Sequence, residues 1–184
     1  MNPAKRQARA REKRKAARAQ PESPGQRARR LASERVCGDC QLCCEVMAIP
    51  ELHKAPRARC QYQCSTGCAI YGTRPTSCAG FLCLWRQGWG TSADRPDRTG
   101  IVVEMKDGYA TLAEFGGGAR VFAVRTMSDD RARDHQVRAI VQEFLGQGAV
   151  VTVVSPPRFV IYGPRFPEGH PLSSEEFRAI EQTP

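Results

Sequence analysis

All nine cysteines of this 184-residue chain fall in one segment, between Cys37 and Cys83. The first four form the pattern C-x2-C-x2-C-C, and in a C-x2-C step two sulfurs can converge on one metal ion. Two overlapping steps with a further adjacent cysteine are hard to obtain by accident, and they predict a metal-binding segment. The other five cysteines follow at wider spacing: Cys60, Cys64, Cys68, Cys78 and Cys83.

Eight thiolates are enough to fill two four-coordinate metal sites or to hold one multinuclear cluster. Cys43 and Cys44 are adjacent and point in different directions in most backbone conformations, so one tetrahedral ion does not readily take both. Cys64 is the predicted spare thiol, because its spacing to either neighbour departs from the C-x2-C step, although it could join as a further ligand. The predicted metal ligands are Cys37, Cys40, Cys43, Cys44, Cys60, Cys68, Cys78 and Cys83.

The ligand types leave the identity of the metal open between Zn²⁺ and Fe, because four thiolates suit both tetrahedral zinc and an iron–sulfur cluster. The bacterial ferredoxin run C-x2-C-x2-C-x3-C-P is matched only in its first three cysteines. Cys44 follows directly, and Glu45 stands where that run would continue.

Two other uses of clustered cysteines fit this chain less well. Free cysteines pack readily in apolar cores, but a core has no reason to space them in C-x2-C steps. Disulfide frameworks belong to exported proteins, and residues 1–20 alternate Ala with Arg and Lys without the apolar segment of a secretory signal. We therefore expect reduced thiols and a cytoplasmic location. No stretch approaches the roughly 20 apolar residues that cross a bilayer, so no membrane partner is expected.

Several short motifs accompany the cysteines: Gly67-Cys68-Ala69-Ile70-Tyr71, Arg74-Pro75 and Phe81-x-Cys83-x-Trp85. Together with the C-x2-C-x2-C-C segment, they resemble the YkgJ-type cysteine-cluster family, described as a zinc- or iron-chelating domain. The resemblance covers Val36 to about Trp89 and extends more loosely over Pro96 to Tyr162. It implies that the eight predicted ligands fall on the cysteine positions of the family.

A metal-binding protein is the first function that this pattern predicts, and an iron–sulfur enzyme or electron-transfer protein is the alternative. A lysine methylase of flagellin contains a similar cysteine cluster, but we identify no catalytic motif in this chain. His53, His135 and His170 are the only histidines, and His135 is paired with no nucleophile or carboxylate at a recognisable catalytic spacing. His53 lies between the cysteine clusters and could be a ligand, although a surface position beside Lys54 is the favoured interpretation.

The positive charge of the chain is confined to its N-terminal part. Residues 1–35 hold 12 Lys and Arg against 3 Asp and Glu, which leaves 16 of each in residues 36–184 and accounts for the net charge of +9. We expect residues 1–35 to form a disordered basic arm and linker. Residues 5–30 could bind RNA, the ribosome or another polyanion, and a solubilising tail is an equally good interpretation.

The remaining pattern predicts one α+β domain over residues 36–184, with a cysteine-cluster metal module at 36–89 packed on an α+β body at 90–184. The body is expected to contain a small, mainly antiparallel sheet and one long helix from Ser128 to Leu145. In the metal module, a strand at Ala69–Tyr71 and a helix at Thr73–Trp85 are expected. The strands predicted for the body are Gly100–Met105, Tyr109–Phe115, Ala119–Arg125, Ala149–Val154 and Phe159–Tyr162, and a last short helix follows Ser173.

Overall fold

The computed structural model describes residues 22–106 and 119–182. The helices are α1 (Pro24–Glu34), α2 (Leu42–Val46), α3 (Thr76–Gly80), α4 (Pro96–Thr99), α5 (Asp129–Ala132), α6 (His135–Leu145) and α7 (Ser174–Gln182). The strands are β1 (Gln63–Cys64), β2 (Gly67–Cys68), β3 (Ile101–Lys106), β4 (Val121–Thr126), β5 (Val150–Ser155), β6 (Arg158–Gly163) and β7 (Phe166–Leu172).

The larger sheet has the strand order β3-β4-β5-β6-β7. Strands β4 and β5 run parallel, and the other neighbouring pairs are antiparallel. A parallel pair needs a crossover connection, which α6 supplies between β4 and β5. Both strands are buried along their whole length, which explains their continuous apolar sequence.

The apolar face of α6 fills the core on one side of this sheet. Val137, Ile140, Val141 and Phe144 are buried, and their three- and four-residue spacing places them on one face of the helix. The ring of Phe144 stacks on Phe122 of β4 with the ring centroids 4.0 Å apart. This contact fixes the crossover helix over the parallel strands.

Two separate helices pack on the opposite face of the sheet. Phe177 of α7 stacks on Phe159 of β6 with centroids 4.1 Å apart. Val102 of β3 is buried in a cluster with Leu42 and Val46 of α2. The cysteine-rich segment therefore packs directly on the sheet through α2.

The mixed α+β class is confirmed, with the two-stranded antiparallel β1–β2 sheet beside the larger mixed sheet. β3 and β4 lie within two residues of the predicted strands Gly100–Met105 and Ala119–Arg125, and they pair with each other. The predicted strand Tyr109–Phe115 lies outside the described residues. Across residues 22–106 and 119–182, none of the helices combines the length and the apolar character needed to span a bilayer.

The long helix predicted from Ser128 to Leu145 is two helices. The side chain of Ser128 caps α5, and the helix ends before Arg133. Asp134 then caps α6, because its Oδ1 accepts a hydrogen bond from the backbone N–H of Gln136 at 2.8 Å. A second N-cap residue inside the apolar pattern is the signal that marks this break.

The helix predicted for Thr73–Trp85 is too long. The observed helix α3 covers only Thr76–Gly80, and the backbone of Phe81 is extended. Beyond it, the N–H of Leu84 donates to the carbonyl oxygen of Val103 in β3 at 2.7 Å. A tertiary hydrogen bond thus replaces the local helical one.

Two further elements differ from the sequence prediction. The predicted strand at Ala69–Tyr71 is replaced by β2 and by a 3₁₀ turn at Tyr71–Thr73. Strand β7 was not predicted, because Pro167 and Pro171 disfavour a strand. It lies at the end of the described strand order, where proline is tolerated.

The segment predicted as an arm and linker contains the helix α1. Ser23 and Gln26 form a capping box at its start, and Pro24 occupies its first turn, where the missing N–H costs nothing. The prolines therefore mark the beginning of a helix. The rest of the predicted arm, and with it most of the proposed polyanion site at residues 5–30, lies outside the described residues.

Candidate metal centre

The first four cysteines lie on a turn and on the short helix that follows it. The N–H of Cys40 donates to the carbonyl oxygen of Cys37 at 2.9 Å. Gly38 has a φ of +55°, a left-handed conformation that glycine adopts without strain. Cys43 and Cys44 are successive residues of α2. The C-x2-C step thus folds back on itself immediately before the helix.

The other cysteines reach the same region from separate elements. Cys60 precedes the β1–β2 hairpin, and its carbonyl oxygen accepts a hydrogen bond from the N–H of Gln63 at 3.1 Å. Cys68 lies on β2 and Cys78 on α3. Cys83 follows α3 and is buried in the cluster that anchors α2 to the sheet.

A cavity of about 230 Å³ lies where these elements meet. Apolar side chains form much of its wall, among them Phe81, Trp85 and Val102. No histidine or carboxylate among the described residues lines it. Eight of the nine cysteines do: Cys37, Cys40, Cys43, Cys44, Cys60, Cys68, Cys78 and Cys83.

These cysteines surround a space and do not meet at one point. In residues 22–106 and 119–182, no group of three or more His, Cys, Asp or Glu side chains is placed to hold a metal ion without rearrangement. All nine cysteines are free. The donor set is still one that fits a thiophilic metal, because its side-chain donors are mainly sulfur atoms brought from separate segments to one cavity.

Cys64, the predicted spare thiol, does not line the cavity. Its sulfur lies 3.6 Å from Oγ1 of Thr66 and donates to the carbonyl oxygen of Gly67 at 3.4 Å. Hydrogen bonds from Thr66 lower the pKa of the Cys64 thiol. The structure therefore separates this cysteine from the other eight.

A buried lysine lies beside the cavity. The ammonium of Lys54 donates hydrogen bonds to the backbone carbonyl oxygens of Glu45, Met47 and Ala55, around the end of α2. Burial lowers the pKa of Lys54, and the nearby cysteines, Cys60, Cys44, Cys43 and Cys78, oppose that effect. No pattern in the sequence indicates this role, because Lys54 lies in an irregular segment between the two cysteine clusters.

Two arginines add further positive charge near the cavity. Arg74 lies over the ring of Tyr71 at 3.9 Å and within electrostatic reach of Cys37 and Cys68. Arg95 hydrogen-bonds Asp39 and also reaches the sulfur of Cys40. Positive charge near the thiols is therefore supplied by several residues.

The thiols differ in how readily they become thiolates. Burial raises the pKa of Cys40, Cys78 and Cys83, because desolvation disfavours the charged form. Interaction between the adjacent thiols of Cys43 and Cys44 raises the pKa of Cys43 and lowers that of Cys44. Thiolates in this apolar setting need a compensating cation, which a metal ion provides.

The aromatic residues and histidines near the cysteine segment differ in their distance from the cavity. Phe81 and Trp85 line the cavity, whereas Trp89 packs on Phe144 with ring centroids 5.9 Å apart. His53 is exposed, and His135 is 88% exposed beside its capping neighbour. Neither histidine lines the cavity.

Comparison of the chain with models of protein families, with curated proteins and with solved structures found no match.

Proposed function

We propose that the protein binds zinc or iron, the latter as an iron–sulfur cluster, through clustered cysteine thiolates. The observation that carries the proposal is the cavity shared by eight cysteines from separate segments. The proposed ligands are Cys37, Cys40, Cys43, Cys44, Cys60, Cys68, Cys78 and Cys83.

The chemistry of the cavity supports a soft or borderline metal. Thiolates select zinc and iron–sulfur clusters, whereas Mg²⁺ and Ca²⁺ prefer carboxylate and carbonyl oxygens. The described residues contribute no carboxylate to the cavity wall. Lys54, Arg74 and Arg95 offset the negative charge that several thiolates would bring. The resemblance to the YkgJ-type family supports the same ligand set.

An iron–sulfur cluster in this site would be able to carry an electron. With either metal, the bound ion would also join segments of residues 37–89 that make few other contacts through regular secondary structure. In residues 37–89 the helices and strands are short, and much of the backbone is irregular. Ordering such a segment costs conformational entropy that few large apolar residues offset. Metal binding supplies the missing free energy in many small cysteine-rich modules.

The contrast between Cys68 and Cys64 provides a matched test. The full chain, Cys64→Ser and Cys68→Ser are purified without oxygen, and the metal-to-protein ratio is measured by elemental analysis. Cys64→Ser should keep the wild-type ratio. Cys68→Ser should fall to about half or less, because a four-coordinate site loses a ligand. A wild-type protein without metal, or an equal loss in both variants, contradicts the proposal.

The same preparations distinguish the two metals. An iron–sulfur cluster gives a brown protein that absorbs visible light, whereas a zinc protein is colourless. Removing the metal with a chelator should then increase protease cleavage between residues 37 and 89. Unchanged resistance would show that the cysteine segment does not depend on metal.

A further inference from the structure

A second cavity, of about 290 Å³, lies on the α6 side of the large sheet. It is bounded by the α5–α6 junction and by β5 and β6. We call it the arginine groove and define it by Arg133, Arg138, Ser155, Arg158, Val160 and Tyr162. It shares no lining residue with the cysteine cavity.

The floor of the groove is built by side chains on one face of the sheet. Val160 is the cross-strand partner of Val153, and Tyr162 is the partner of Val151, so these residues project to the same side. The ring of Tyr162 lies close over Gly169 of β7, where an added Cβ would come within 2.6 Å of the ring. Glycine at this position therefore lets the tyrosine lie across the floor.

Three guanidinium groups surround this floor. In the part of the chain that the structure describes, the side chains of Arg133 and Arg138 form no hydrogen bond or ion pair. Nε of Arg158 lies 3.8 Å from Oδ2 of Asp129, which is beyond hydrogen-bonding distance. The guanidinium N–H groups of the three arginines can therefore donate hydrogen bonds to a ligand in the groove or to solvent.

Two carboxylates lie near the groove, and Asp129 forms a loose ion pair with Arg158 that offsets part of the positive charge. Asp129 accepts a hydrogen bond from Oγ of the buried Ser155 at 2.7 Å, which holds the carboxylate at one end. Asp129 is also 3.8 Å from Arg57, which adds a further cation behind it. Burial raises the pKa of Tyr162; Arg138 opposes this effect, and the nearby carboxylate of Glu168 adds to it. The arginines outnumber the acids.

We propose that the arginine groove binds the phosphoryl group of an anionic ligand. Guanidinium forks match the oxygens of a phosphate, and one phosphate can accept hydrogen bonds from more than one arginine. The Tyr162 hydroxyl is a further donor on the floor. The volume lies near the lower end of the range for small-ligand pockets, about 300 Å³ and upward, and therefore suits a small phosphate ester. The proposal does not depend on metal binding.

Titration calorimetry with pyrophosphate at low salt tests this site in the full chain. The variants are Arg138→Gln and Arg158→Gln, and the control is Arg178→Gln, an exposed arginine on α7 with the same change of charge. Each groove variant should weaken binding about tenfold, which corresponds to about 1.4 kcal/mol, because it removes a charge-assisted hydrogen bond to the phosphate. The control should bind like the wild type. Arg138→Lys should bind with intermediate affinity, because it keeps the charge and loses the fork.

Thermal denaturation of every variant establishes that the fold is intact before binding is compared. No binding by the wild type, or equal weakening in all three glutamine variants, would overturn the site. Binding that persists unchanged in both groove variants would place the phosphate elsewhere, such as the basic N-terminal part. Competition with a short single-stranded RNA then identifies the source of the group: displacement of pyrophosphate indicates a polynucleotide, and its retention indicates a small ester.

Discussion

Nη1 of Arg35 donates a hydrogen bond to the carbonyl oxygen of Trp85 at 2.6 Å, and the guanidinium lies 4.8 Å from the centre of the same indole ring. The same guanidinium donates to the carbonyl oxygens of Trp89 at 2.6 Å and Gly90 at 2.8 Å. One buried side chain at the end of α1 thus holds the loop that follows Cys83.

Replacing Arg35 by Lys should lower the free energy of unfolding by about 2–4 kcal/mol, because the shorter lysine side chain lacks the planar fork that reaches these three carbonyl oxygens, and buried polar groups without partners are costly. Urea denaturation measures the change. Arg29→Lys is the control on the same helix, where the side chain is exposed. Equal stability of both variants would show that the Arg35 contacts contribute little.

Gly88→Ala should detach α1 from this loop. Gly88 has a φ of +102°, and an added Cβ would lie 2.5 Å from the carbonyl oxygen of Ala28. The backbone of the helix cannot move away without breaking the Arg35 contacts. We expect faster protease cleavage within Pro24–Glu34. Gly25→Ala, where nothing lies within 4 Å of the added atom, should leave the cleavage rate unchanged or lower it.

Lys54→Met should lower both stability and metal affinity. The free energy of unfolding of the protein as purified should fall by about 2–4 kcal/mol, because three carbonyl oxygens lose a charged donor. Metal should also dissociate more readily, because less positive charge offsets the thiolates. Chemical denaturation measures the first effect, and competition with a chelator measures the second. Full retention of both properties would exclude a role for Lys54 at the site.

Cys64 should be the first thiol alkylated in the metal-loaded protein, because it lies outside the cavity. Its pKa is lowered by the hydrogen bonds from Thr66, so its thiolate persists to a lower pH than that of an ordinary thiol. Thr66→Val removes the hydroxyl donor and should shift the alkylation rate profile to higher pH. Thr73→Val, at an exposed turn, is the control. A profile that does not move would show that Thr66 does not stabilise the thiolate.

The eight cysteines predicted as metal ligands are the eight that line the cavity, and their role as ligands stays a prediction. Cys64 was predicted as the spare thiol and lies outside the cavity, whereas the residues that support the other cysteines were not predicted. Lys54 and Arg35 act through backbone carbonyl groups of distant segments, and such contacts leave no pattern in the sequence. The helix predicted through Trp85 failed for the same reason, since the bond from Leu84 to Val103 is formed only after folding.

The bond from Leu84 to Val103 has a consequence for the outer strand of the described sheet. β3 is the first strand in the order, and Leu84 occupies a backbone acceptor on its open side. Under the proposed function, removal of the metal would release the loop after Cys83 and free this acceptor for another polypeptide strand. We expect the metal-free protein to self-associate on warming, detectable by light scattering.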